Sequence, residues 1–300
     1  MAKSEISTKY LNEHEQSIDK VPSPWLEAWR SFKKNKLALV GLIIISFFIL
    51  LAIFAPLIAP EGFNDMKMDE KLSPPSSKYW LGTDDFGRDI LSRIIFGARI
   101  SLTIGFFSVI VSVIVGSVLG ILAGYYGRFV DTVISRLFDI MLAFPSILLA
   151  IAIVAILGPS LQNALIAIAI INVPTFGRLI RSKVLSVKQS EYILAAKNIG
   201  MGNVRILFRH ILPNSMAPVI VQGTLAIATA IIEAAALGFL GLGAQAPDPE
   251  WGKMLADSRQ YLIQAPWTMI FPGLAIMLTV LGFNLMGDGL RDALDPRMKN

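Results

Sequence analysis

Residues Leu37 to Ile58 read LALVGLIIISFFILLAIFAPLI, and Pro60 closes the run. No charged side chain interrupts it. About twenty apolar residues are what a helix needs to cross a hydrocarbon core roughly 30 Å thick. In that medium a helix is favoured because it satisfies its own backbone hydrogen bonds without water. Five further apolar blocks follow, roughly Leu102 to Gly124, Ile134 to Ile156, Leu161 to Leu179, Ser215 to Leu237 and Pro266 to Met286. The alternating pattern of a transmembrane barrel is absent. The fold class is therefore all-α, a polytopic membrane protein with six transmembrane helices.

Composition agrees. Hydrophobic residues make up 54% of the 300 and charged residues 16%, against roughly a quarter in an ordinary globular chain. With no cysteine, disulfides, thiolate metal sites and cysteine nucleophiles are excluded. His14 and His210 are the two imidazoles, neither sits in a His/Glu cluster, and no metal site is expected. The net charge of +5 would suit nucleic acid, but its distribution points to membrane topology, and no nucleic-acid partner is expected.

The first 36 residues form a polar tail with turn signals at Pro22 and Pro24 and no small-residue cleavage pattern. Arg30, Lys33, Lys34 and Lys36 precede the first span, which keeps the tail in the cytoplasm. Six spans put both termini on that side, and 19 of the 27 Lys and Arg residues then lie inside. The segments are a cytoplasmic tail over 1–36, a first transmembrane helix over 37–60, an external segment with an amphipathic helix over 61–99, and a core domain over 100–300.

Within the spans, Ser108, Ser112, Gly116, Gly120 and Gly124 recur every fourth residue and form a small-residue stripe that lets a neighbouring backbone approach. Glu233 is an ionisable group deep in an apolar block, which is costly unless it faces protein or water. It is a candidate pathway residue, able to meet a cargo ammonium group, as is Asn172. Pro174 and Pro145 mark possible kinks near a cavity. Asp139 falls near the cytoplasmic end of the third span, where water would solvate it.

The cytoplasmic stretch 186–213 is too polar for lipid and too patterned for a linker. Gln189 to Ile199 reads as a short helix with Tyr192, Ala195, Ala196 and Ile199 on one face. Gly200 suits a left-handed C-terminal cap. Asn203 can cap a second helix, Val204 to Leu212, which Pro213 ends. Two alanines on one face suit insertion into a partner's groove. Outside the membrane, Ile90, Leu91, Ile94 and Ile95 form the apolar stripe of the external amphipathic helix, with Thr83 or Asp84 as its cap.

The cytoplasmic stretch resembles the signature of ABC importer permeases. Ala195-Ala196, three residues, Gly200, nine residues and then His210-Ile211-Leu212-Pro213 match its spacing, with Leu194 where Glu is usual, Glu191 one turn earlier, and His210 where Ile is usual. The resemblance implies that Glu191, Tyr192, Ala195, Ala196, Gly200, Leu212 and Pro213 form a coupling element docked on an ATPase subunit. Trp80 to Arg93, containing Gly82-Thr83-Asp84 and Gly87-Arg88-Asp89, is similar to a motif of dipeptide and oligopeptide permeases. Pro247 to Leu255 with Trp251-Gly252, Ala265-Pro266-Trp267, and Asn284 to Arg297 complete the likeness. The match is best to the second, shorter permease of the peptide/nickel family. It implies the type I ABC importer transmembrane fold and an outer gate or binding-protein contact at Gly82, Thr83, Asp84, Gly87, Arg88 and Asp89. It also implies a homologous second permease, two ATPase subunits, an external substrate-binding protein, surrounding membrane lipid and a peptide substrate, in a cell membrane (inner, cytoplasmic).

No G-x-x-x-x-G-K-[ST] loop is present, so ATP and Mg are expected on partner ATPases and no cofactor on this chain. Neither H-E-x-x-H nor G-x-S-x-G occurs, and no enzymatic role is expected. Arg178, Arg181, Lys183 and Lys188 could meet acidic ATPase loops or lipid headgroups. Nickel and glutathione importers share the motifs, so the cargo stays open. A channel or ion-coupled carrier would carry ionisable residues in several spans, which this sequence does not.

Overall fold

A computed structural model describes residues 24–294. The tail expected over residues 1–23 and the Asp295-Pro296-Arg297 end of the last motif lie outside the described residues. Ten helices of eight residues or more organise the described residues: α1 Pro24–Lys34, α2 Lys36–Ile53, α3 Ile90–Tyr126, α4 Arg128–Leu142, α5 Ser146–Leu157, α6 Leu161–Lys188, α7 Glu191–Asn198, α8 Asn203–Phe239, α9 Trp251–Ser258 and α10 Trp267–Leu294. α2, α3, α6, α8 and α10 are long and apolar enough to cross a membrane. The α4–α5 pair, bent by 94°, is a sixth span if counted as one. The break falls at Ala143 to Pro145, where the proline lacks an N–H and disfavours a helical residue before it. The bundle is all-helical, as the hydropathy pattern predicts.

The tail expectation needs correction at its end. Residues Pro24–Lys34 are helical, and α1 buries Ala28 and Phe32 against Ala38 of α2 and Ala293 of α10. Asn35 then starts α2, its side chain accepting from the Leu37 and Ala38 N–H groups at 3.1 and 3.2 Å. α2 leans on α10 through small residues: a Cβ at Gly41 would lie 2.7 Å from the Gly282 carbonyl oxygen. Its other side shows Ile43, Phe47 and Leu50 to the surroundings, as lipid contact requires.

The external amphipathic helix is not a separate surface element. It is the first part of α3, whose 37 residues span about 55 Å at 1.5 Å per residue. Ile90, Ile94 and Ile95 are buried, Ile90 and Ile94 with Trp251 and Met254 of α9, but so are Ser92 and Arg93 on the other side, because the segment 61–89 folds over them: the Glu61 N–H donates to the Ser92 hydroxyl at 3.0 Å and Arg93 donates to the Phe63 carbonyl at 2.9 Å. The cap is Asp89 rather than Thr83 or Asp84; its carboxylate accepts from the Ser92 N–H at 2.8 Å.

The small-residue stripe is the seam between α3 and α6. A Cβ at Gly116 would lie 2.7 Å from the Val173 carbonyl oxygen, and one at Gly120 would overlap the Gly177 carbonyl. Ser112 donates to the Ala169 carbonyl at 2.8 Å across the same seam. Phe138 of α4 closes on Gly177 and is fully buried. The main core lies here, joining Ile104 and Val109 of α3 to Ile168, Phe176 and Ile180 of α6 and Ile227 and Ile231 of α8.

The second short helix does not end at Pro213. Helix α8 runs unbroken from Asn203 to Phe239, with a π turn at Leu207–Ile211 in which the Leu212 N–H reaches the Leu207 carbonyl. The wider turn leaves room for the proline ring that an α turn would exclude, so the chain passes Pro213 and enters the span. Overpacking a close seam costs about 1–3 kcal/mol. Gly120→Val is therefore expected to lower the unfolding free energy of the detergent-solubilised protein by that amount, read as a fall in its thermal midpoint. Val118→Ala, at an outward-facing position of the same helix, should change it by less than about 0.5 kcal/mol.

Candidate functional site

At one end of the bundle α7 and the start of α8 form a hairpin. Ser190 precedes α7, and Gly200 at φ +82° ends it with both reverse bonds of a Schellman cap: Gly200 N–H to Lys197 O at 2.9 Å and Met201 N–H to Ala196 O at 3.0 Å. The two alanines do not share an outer face. Ile193 and Ala196 turn into the bundle, while Tyr192, Leu194, Ala195 and Ile199 face out. Val204 and Phe208 extend this outward surface, and Ile199, Val204 and Phe208 are 79%, 68% and 68% exposed. The α7 register decides this, since Ile193 is the apolar residue that the core takes and Ala196 follows it three residues on.

The hairpin is fastened to α3 and α6. The Tyr125 hydroxyl donates to the Asn203 side chain, so Asn203 is a tether and not the helix cap, which is Gly202. Lys188 donates to the Tyr125 carbonyl at 2.6 Å with its ammonium 5.3 Å from the Tyr125 ring centre. Asn214 bonds the His210 carbonyl at 2.7 Å and the Tyr192 hydroxyl at 3.3 Å. Arg181 grips Asp131 through two bonds, Nη2–Oδ2 at 2.7 Å, and Arg178 pairs with Asp139. Arg178, Arg181 and Lys188, considered as contacts for ATPase or lipid, are thus engaged inside the chain. Asp139 is ion-paired as well as half exposed. Tyr125 and Asp131 had no signal in the sequence beyond their position at span ends.

At the opposite end the segment 61–89 and the segment 240–266 interlock. Asp84 accepts from the Phe86 and Arg88 N–H groups at 2.9 and 3.0 Å and from Arg88 Nε at 2.7 Å, with Arg93 Nε 3.5 Å away. The Thr83 hydroxyl accepts from the Ser73 N–H at 2.8 Å. Gly87, at φ +71°, lies so close to the Lys67 carbonyl that no Cβ fits. Trp267 covers Gly82 and donates to the Thr83 carbonyl at 3.3 Å. Thr83, Asp84, Arg88 and Asp89 are all buried, their polar groups satisfied by this knot.

Sequence reasoning missed how the later segment holds it. Trp251 is fully buried, donates from Nε1 to the Ile94 carbonyl at 3.1 Å and meets Phe48 edge-on at 5.6 Å. Glu250 caps α9 by accepting from the Gly252 and Lys253 N–H groups, both at 2.8 Å, and Ser101 donates to it at 3.3 Å. Burial pushes its carboxyl up, against these bonds, which favour the charged form. The available signal was an acidic residue directly before Trp251-Gly252. Beside the knot lies an open cleft of about 730 Å³ that includes Asp85, Arg88, Arg93, Lys253, Asp257 and Arg259. Burial, with the charge of Asp84 next to it, raises the Asp85 carboxyl.

Between the two ends, the structure joins the two residues singled out in the spans. Asn172 of α6 donates to Glu233 of α8 at 3.1 Å and to the Ile168 carbonyl at 3.0 Å. Ser146, the first residue of α5, lies against the same carboxyl, so three helices meet at one polar point beside the α4–α5 bend. Glu233 is partly exposed, and no cation pairs with it among the described residues.

Comparison with known proteins places this architecture. Residues 116–300 match the family of binding-protein-dependent transport system inner membrane components, and residues 23–75 match the N-terminal TM domain of oligopeptide transport permease C. A dipeptide transport system permease protein, DppC, of Alkalihalophilus pseudofirmus is 68% identical over 278 residues, covering 93% of this chain and 91% of that protein. The di/tripeptide transport system permease protein DppC of Pseudomonas aeruginosa is 52% identical over 285 residues, covering 93% and 94%. A glutathione transport system permease protein, GsiD, of Escherichia coli is 49% identical over 282 residues, covering 94% and 93%. A chain of the inward-facing MetNI methionine ABC transporter matches with a TM-score of 0.55 at 18% identity, over 68% of this chain and 97% of that one, which shows a common fold. With the first family model covering more than half of it and close relatives nearly all of it, this chain belongs to the binding-protein-dependent transport system inner membrane components, the permease family of ABC importers.

Proposed function

We propose that this chain is the transmembrane permease subunit of an ATP-driven importer of di- and oligopeptides. It forms half of the translocation pathway beside a homologous second permease. The observation that carries this is the hairpin: an outward apolar surface of Tyr192, Ile199, Val204 and Phe208 on a chain whose sequence has no nucleotide-cradling loop. Apolar side chains held away from the bundle by a built set of tethers suit a protein groove. Two ATPase subunits holding ATP and Mg would lie below, on the cytoplasmic side with both termini, and an external binding protein would deliver cargo from above. Closure of the ATPase dimer would push the hairpin, and its tethers to α3 and α6 would convert that push into a rigid-body swing of the bundle.

Within this scheme Gly82, Thr83, Asp84, Gly87, Arg88 and Asp89 act by shaping the outer mouth, since Asp84 and Arg88 are spent on each other, Thr83 on Ser73 and Glu70, and Asp89 on Ser92. Contact with the binding protein falls to the exposed rim beside them, where Trp80 stands out. Glu233, held by Asn172, offers the cargo's free ammonium group a carboxylate with no cation of its own. The dipeptide and di/tripeptide permease relatives support a short peptide as cargo. The glutathione permease relative supports a second cargo on the same architecture, and uptake competition between dipeptides and glutathione separates the two.

In the assembled importer, Phe208→Glu is expected to abolish coupling. ATP hydrolysis should lose its stimulation by loaded binding protein, and uptake should fall at least about tenfold, the effect of some 1.4 kcal/mol. Unchanged uptake would remove the docking role. Glu233→Gln should lower uptake of peptides with a free N-terminus while leaving uptake of N-acetylated peptides at its own baseline. An equal loss for both would show a packing role only.

A further inference from the structure

A second groove opens on the apolar flank between α2 and α3. It has a volume of about 650 Å³ and is lined by Ile49 and Ile53 of α2, Leu102, Phe106 and Phe107 of α3, and Phe283 of α10. Its one charged wall is Arg99. Thr103, the other polar residue there, spends its hydroxyl on the Arg99 carbonyl at 2.6 Å. Along α3 the groove runs from Arg99 to Phe107, about 12 Å at 1.5 Å per residue.

Arg99 is fixed rather than loose. Its Nε donates to the Ala52 carbonyl at 3.1 Å and its Nη2 to the Ile53 carbonyl at 3.3 Å, the last carbonyls of α2. These bonds stand the guanidinium at the mouth of the groove, on the end of the bundle where the chain leaves α2 toward Pro60. Nη1 makes no hydrogen bond among the described residues, and no carboxylate pairs with Arg99 there. The helix C-terminus offsets only part of the charge. An apolar channel headed by one uncompensated, oriented cation is complementary to an amphiphile with an anionic head.

We infer that the groove between α2 and α3 is a binding site for a single anionic phospholipid, its phosphodiester on the Arg99 guanidinium and one acyl chain along Ile53, Phe106 and Phe107. Arginine suits the phosphate because its planar fork presents two N–H groups to two oxygens. The aromatic and branched walls exclude water from the acyl chain, and the α2 carbonyls keep the head from drifting. The site would add a lipid-mediated link between the first span and the core, beside the direct contacts of Phe48 and Ala52 with α3.

The test is native mass spectrometry of the delipidated full-length chain, titrated with phosphatidylglycerol and, separately, phosphatidylcholine. One tightly held phosphatidylglycerol per chain is expected, with phosphatidylcholine bound more weakly. Arg99→Gln, which keeps two donors for the α2 carbonyls but loses the charge, should weaken phosphatidylglycerol about tenfold or more and abolish the preference. Thr103→Trp, which fills the groove and leaves Arg99 in place, should remove the bound lipid too, and it decides the matter if Arg99→Gln does not fold. Equal binding by both variants and the unmodified chain overturns the inference. So does equal affinity for the two lipids, or loss of the bound lipid when the second permease assembles, since the groove would then hold a protein helix.

Discussion

In hydrocarbon a backbone group without a partner has no water to turn to, and the architecture follows from that constraint. Every candidate span is helical, and the packing between spans brings backbones close enough for polar contacts across the seam. Ser112 reaches the Ala169 carbonyl because Gly116, Gly120 and Gly177 remove the side chains that would hold α3 and α6 apart. With lipid on the outside as apolar as the core, fit and not hydrophobicity holds helices together. The small-residue seam is therefore where specificity of the bundle resides.

Both ends of the bundle meet the same demand with side chains. At the hairpin end the ion pairs Arg181–Asp131 and Arg178–Asp139 bind α4 to α6, and Tyr125 ties the turn between α7 and α8. At the other end Asp84, Asp89 and Glu250 each accept bonds from backbone N–H groups, closing turns and helix starts that would otherwise leave donors bare. The bend at Ala143 to Pro145 and the π turn at Leu207–Ile211 both interrupt regular helix geometry, the first between α4 and α5 and the second within the hairpin itself.

Much of this was legible beforehand, for definite reasons. Long apolar runs announce spans because chain length and bilayer thickness leave little choice. The spacing of Ala195, Gly200 and Pro213 announced a helix–glycine–helix element, since a left-handed cap needs glycine. What failed was local inference wherever tertiary partners intervened. The stripe Ile90, Leu91, Ile94 and Ile95 is amphipathic by count, yet the segment from Glu61 to Asp89 covers Ser92 and Arg93 on the side that the pattern leaves to water. Pro213 reads as a stop, yet a π turn carries the helix through it. Arg178 and Arg181 read as free cations, yet their partners lie on α4, some 40 to 50 positions earlier.

By itself the sequence determined the class of the protein: an all-helical membrane chain, its approximate spans, its lack of a nucleotide loop, and the short motifs whose backbone demands only particular residues meet. Those properties depend on composition and local spacing. Tertiary structure alone decided which face of α7 looks outward, that Asn172, Glu233 and Ser146 meet at one point, and that the motif around Asp84 is a buried knot under Trp267. Each of these depends on contacts between residues far apart in the chain, and local periodicity carries no record of which distant surface will arrive.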